Sequence, residues 1–110
     1  MRTFPRELAA FRKMVEERGQ QLRLRPFADL KQLGELPVEE LVVNDRKATI
    51  GLIVLPQPSG GIQVVVQGLM DGKWFRAIKN VALDGFYKYP DETIAEMDPK
   101  DFYEFDQSPQ

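Results

Sequence analysis

The chain has 110 residues and a net charge of -2, and it contains neither cysteine nor histidine. Those two absences exclude a disulfide framework, thiolate or imidazole metal ligands, a cysteine nucleophile and the imidazole base on which most serine catalysis rests. With 43% hydrophobic and 29% charged residues, one globular domain spanning residues 1–110 is expected.

No apolar run approaches the ~20 residues of a membrane span. The opening MRTFPREL lacks the apolar stretch of a secretion signal. A cytoplasmic protein with no membrane contact is therefore the expectation. Charge is uneven along the chain: residues 1–31 carry eight Arg/Lys against four Asp/Glu, while residues 84–110 carry two against eight. A basic helix lying beside an acidic tail would neutralise both, and a dipolar surface steering a charged partner is the alternative.

Thr3 caps a first helix and Pro5 suits its first turn. Phe4, Leu8, Phe11 and Val15 then recur at spacings of four, three and four, an apolar stripe that Ala10 and Met14 widen. Gly19 is its natural C-terminal stop. Leu22 and Leu24 alternate with Arg23 and Arg25, which predicts a short edge strand over 21–27, interrupted by Pro26. A short helix is expected over 28–33, closed by Gly34. Residues 38–43 read as a strand turning at Asn44 and Asp45.

From Ala48 to Met97 the chain is crowded with β-branched and aromatic residues cut by turn signals, the pattern of an antiparallel meander. PQPSGG (56–61) is a hairpin connection, with neither the lysine nor the helix a phosphate loop requires. Asp71 and Gly72 form a type I′ signature. A two-residue loop there pairs Leu69 with Trp74, Gln67 with Arg76, Val65 with Ile78, Val66 with Ala77 and Gly68 with Phe75. Asp84 and Gly85 repeat the signature, pairing Leu83 with Phe86 and Ala82 with Tyr87. Tyr89, Pro90 and Asp91 open a third turn, where Glu92 holds a place better suited to glycine. Asp98 caps a short C-terminal helix carrying Phe102, Tyr103 and Phe105, with Pro99 first and Asp101 in its opening turn. The fold class is α+β: an N-terminal amphipathic helix on a meander of about four to six strands, with a short C-terminal helix.

Both faces of this sheet are substantially apolar, so the face away from the first helix needs a cover, a ligand or a partner. The carboxylate pairs Glu16/Glu17, Glu39/Glu40, Asp91/Glu92 and Asp98/Asp101 are sequence neighbours. Such pairs rarely face each other across a cleft as acid/base catalysis demands. Asp84, Asp91, Glu92 and Asp98 match no calcium loop, so no metal and no cofactor is expected. Lys73 to Lys79 interleaves bases with Trp74 and Phe75, but neighbouring strand residues point to opposite faces and the acidic balance argues against nucleic acid. Tyr87, Tyr89 and Tyr103 lie among acids, a composition suited to anchoring and steering a basic partner. The expectation is a non-catalytic, acidic protein-binding module of the inhibitor or accessory kind, with Trp74, Arg76, Tyr87, Tyr89 and Tyr103 as binding residues. The alternatives are a small-molecule site on the sheet lined by Trp74, Arg76 and Ile78, or a homodimer formed through the second sheet face.

Overall fold

The computed structural model describes residues 3–33, 39–43, 46–71, 79–98 and 100–101. Two helices, α1 (Thr3–Arg23) and α2 (Phe27–Leu33), precede five strands: β1 (Glu39–Val43), β2 (Arg46–Pro56), β3 (Ile62–Asp71), β4 (Lys79–Lys88) and β5 (Ile94–Glu96). The strands form one antiparallel sheet in the order of the chain. This is the expected α+β meander with α1 laid on one face, against β3 and β4. Among the described residues, no helix is long and apolar enough to cross a membrane.

The predicted stripe on α1 is the face that enters the core. Phe11 and Val15 are fully buried, and the stripe continues through Gly19 to Leu22. Ala10 and Met14 do not widen it: both are exposed, Met14 at 38%. These side chains meet Ile62, Val64, Val66 and Met70 of β3, Ala48 and Ile50 of β2, and Ala82 and Phe86 of β4. Each fully buried large apolar side chain contributes roughly 1.5–3 kcal/mol. Gly68 makes the close approach possible, since a Cβ there would stand 2.7 Å from both Phe11 Cζ and Val15 Cγ2. On α2, Leu30 joins the same core.

Several local expectations yield to this packing. Gly19 does not end α1, which runs to Arg23, so residues 21–23 are helical rather than an edge strand. The helix then closes through Leu24 N donating to Gln21 O and Arg25 N to Leu22 O, and Pro26 leads into α2. The reason is space and charge at β4. A side chain at Gly19 would collide with the Asp84 carboxylate, and one further turn of helix carries Arg23 to that same carboxylate.

The two Asp-Gly signatures are also overruled. Asp71 pairs with Lys79, so residues 72–78 join β3 to β4 and no two-residue loop forms at Asp71 and Gly72. Leu69 faces Val81, Gly68 faces Ala82, Gln67 faces Leu83, Val66 faces Asp84 and Val65 faces Gly85. Asp84 and Gly85 lie inside continuous β4, so Leu83 does not turn back on Phe86. This register sets the small pair Gly68 and Ala82 under Phe11 and Val15, and it points Asp84 at α1. Burial of one whole face outweighs the preference of two turn residues.

Two of the remaining turns agree with their residues. The predicted strand over 38–43 is β1, and Val43 pairs with Arg46; the turn residues Asn44 and Asp45 lie outside the described residues. Between β2 and β3, Gly60 N donates to Gln57 O and Gln57 N to Gly61 O, with Gly60 at φ 94°. Between β4 and β5 the pattern recurs: Glu92 N donates to Tyr89 O and Tyr89 N to Thr93 O, and Glu92 takes φ 74°. That is the position expected to suit glycine. The expected C-terminal helix is not supported: the described residues there show only a turn, with Asp101 N donating to Asp98 O and Asp98 N to Asp101 Oδ2. Its aromatic part, Phe102, Tyr103 and Phe105, lies outside the described residues.

Candidate functional site

The helix side of the sheet carries a partly buried ionic network. Arg23, 9% exposed, donates from Nη1 and Nη2 to Asp84 at 2.7 and 3.2 Å, from Nε and Nη2 to Glu96 at 3.0 and 2.5 Å, and from Nη2 to Gly85 O at 3.2 Å. Its guanidinium also lies 4.7 Å from the centroid of the Phe86 ring. Burial alone would lower its pKa, but the hydrogen bonds and Coulomb attraction of Asp84 and Glu96 outweigh that and raise it. It stays charged, which rules it out as a proton donor or acceptor in this setting.

Lys88 is the second buried cation. Its Nζ donates to the carbonyl oxygens of Arg23 at 3.0 Å and Arg25 at 2.7 Å, satisfying acceptors that the end of α1 leaves open. Glu92 lies 3.5 Å from the same ammonium and accepts a hydrogen bond from Phe27 N. The basic helix and the acidic second half of the chain thus neutralise each other at Arg23, which pairs with Asp84 and Glu96. Asp84, Asp91, Glu92 and Asp98 do not converge: Asp84 is held by Arg23, Glu92 by Lys88 and Asp91 by Thr93. This cluster joins α1 to β4 and β5.

On the opposite face, Val65 is fully buried among Ile53, Leu83, Tyr87 and Met97, so the chain after β5 covers part of the second side. At its edge, Tyr87 OH donates to Asp101 Oδ2 at 3.2 Å, and Gln63 Nε2 donates to Tyr87 OH at 3.4 Å. Partial burial, then the bond to Asp101 and the charges of Asp101, Tyr89 and Asp98, push the Tyr87 phenol above its ordinary value. It therefore remains a neutral donor at physiological pH. Tyr89 is half-buried against Gly61, where an added Cβ would stand 2.7 Å from its Cδ1. Among the described residues, Asp98 and Asp101 make no ion pair with a cation.

Of the five predicted binding residues, the structure brings together Tyr87 and Tyr89, while Trp74, Arg76 and Tyr103 lie outside the described residues. The pocket lining expected from Trp74, Arg76 and Ile78 is outside them too. A different cleft, open and of about 520 Å³, lies over β1, β2 and β3 between Glu40, Val42, Lys47, Thr49 and Leu69. The Arg23 and Lys88 network escaped sequence reading. Its signal was the inward parity that Asp84 and Lys88 share with Ala82 and Phe86, visible once Asp84–Gly85 is a strand segment rather than a turn.

Comparison of the chain with protein-family models, with curated proteins and with solved structures gave no match in any of the three.

Proposed function

We propose that the protein is a non-catalytic binding module that takes a basic segment of a protein partner at the corner formed by Tyr87, Tyr89, Asp98 and Asp101. The observation that carries the reading is the division of its acids. Asp84, Glu92 and Glu96 are engaged by Arg23 and Lys88 on the helix side, whereas Asp98 and Asp101 face no described cation and stand beside two tyrosines. Tyrosine supplies rigid apolar area with a polar tip, and the carboxylates steer a cationic segment into contact with it.

The test is fluorescence anisotropy with a labelled peptide alternating Arg or Lys with apolar residues, against its Glu-substituted counterpart. Asp98→Asn with Asp101→Asn should weaken binding of the basic peptide about tenfold and flatten its salt dependence. The control, Glu16→Gln with Glu17→Gln, removes the same charge from the outer face of α1 and should leave binding nearly unchanged. Equal loss in both variants, or equal binding of both peptides, would refute the assignment of this corner.

A second reading is favoured by the 520 Å³ cleft, whose volume falls in the range of small-molecule sites. A ligand held there raises the melting temperature in a saturable way. That rise should disappear in Leu69→Glu and persist in Tyr89→Ala. A ligand screen with no saturable shift removes this reading.

A further inference from the structure

We infer that β1 is a self-pairing edge, through which two copies of the chain join their sheets antiparallel about a two-fold axis at Leu41. Among the described residues, β1 has one strand partner, β2, and the backbone donors and acceptors on its outer side have no described partner. Such an edge is a template for another strand. Val42, 67% exposed, stands on it with its side chain on the face away from α1.

The occupant follows from the order of residues along the strand, Glu39-Glu40-Leu41-Val42-Val43. Parallel pairing of two copies in register would set Glu39 and Glu40 against themselves, and like charges directly opposite are destabilising. Antiparallel pairing about Leu41 sets Glu39 against Val43 and Glu40 against Val42 of the second copy. The two Leu41 side chains then meet on the helix side, where Leu41 and Val43 already pack on the core.

Charge complements this register. Lys47 lies beside Val42 on β2, and among the described residues it makes no ion pair. In the dimer, the row on the outer face reads Glu40, then Val42 and Lys47 of the second copy. Two strand spacings place Glu40 and that lysine about 9–10 Å apart at their Cβ atoms, within reach of two long side chains lying over Val42.

Symmetry closes the assembly. A two-fold contact uses the β1 edge of both copies, and the other described edge, β5, has only three residues, all exposed.

Sedimentation equilibrium and light scattering of the full chain test the inference. The expected mass is twice 12.6 kDa at the highest concentration the protein tolerates. Val42→Glu sets two carboxylates face to face at two symmetric positions and should weaken the dimer about tenfold, with circular dichroism unchanged because the residue is exposed. Val42→Lys sets an ammonium opposite Glu40 and should keep or tighten the dimer. A monomeric wild type overturns the inference. So does a dimer indifferent to both substitutions, which would place the contact elsewhere.

Discussion

Replacing Gly19 by alanine reverses the sign that helix propensity alone predicts. In a solvated helix interior, Gly→Ala stabilises by about 1 kcal/mol. Here the Asp84 carboxylate occupies the space a Cβ would take, with Asp84 Cγ at 2.7 Å and Arg23 Nη1 at 3.1 Å from it. The methyl group is accommodated either by lifting α1 off β4 or by pushing the carboxylate aside. Lifting the helix costs about 1–3 kcal/mol in disturbed packing. Displacing Asp84 breaks two of its bonds to Arg23, and the loss of one partner from a buried pair costs about 3–5 kcal/mol. Glu96 still holds the guanidinium, so the lower end applies, and after the propensity gain a net loss of about 2 kcal/mol remains. For a domain of this size the melting temperature should fall by roughly 10 °C. Urea unfolding and calorimetry measure it, and the decisive comparison is the Asp84→Ala background. There the obstruction is gone, and Gly19→Ala should be neutral or stabilising by up to about 1 kcal/mol. A Gly19→Ala variant that melts higher than wild type, or equal effects in both backgrounds, would refute the account of why this glycine sits in a helix.

Other outcomes follow from the same geometry. Gly60→Ala meets no atom within 4 Å, so its cost of about 1–2 kcal/mol, read from urea midpoints, comes from the backbone at φ 94° alone. Lys88→Met leaves the carbonyls of Arg23 and Arg25 without their donor and should destabilise by about 2–3 kcal/mol, measured by calorimetry. The Tyr87 phenol should ionise above 10.0 by ultraviolet difference titration, and Asp101→Asn should lower its midpoint. Because the folded state holds that proton more tightly than the unfolded chain, Tyr87's contribution to stability is complete below pH 10 and declines as pH rises through the folded value. Asp91, held by Thr93 N and Oγ1, has its pKa lowered. It favours the fold above the ordinary aspartate range and loses that effect as pH falls, and Thr93→Val should raise its midpoint in an NMR titration.

Tyr87 and Tyr89 were legible as candidates because they stand two apart among acids, Tyr87 near the end of β4 and Tyr89 at the turn that follows it. The Arg23 network was not legible, because its members are separated by more than sixty positions and each has a plausible local role. Arg23 reads as the polar half of a strand alternation, and Asp84 reads as a turn former. Nothing local tells an aspartate that begins a turn from one that meets an arginine across the core.

What the sequence by itself determined is the inventory and the periods. The stripe through Phe11 and Val15 makes α1 amphipathic, the β-branched runs make the meander, and the Tyr89–Glu92 turn demands a left-handed residue that glycine does not supply. Those are properties of neighbours a few residues apart, fixed by backbone sterics and by the 3.6 and 2.0 periods of side-chain direction. Register, helix length and the fate of both Asp-Gly pairs were decided by tertiary structure. A one-residue shift of β4 against β3 would turn Ala82, Asp84 and Phe86 away from α1 while leaving each local preference intact. Burial of Phe11 and Val15 over Gly68, together with the pairing of Arg23 to Asp84, distinguishes those registers, and both act between residues far apart in the chain.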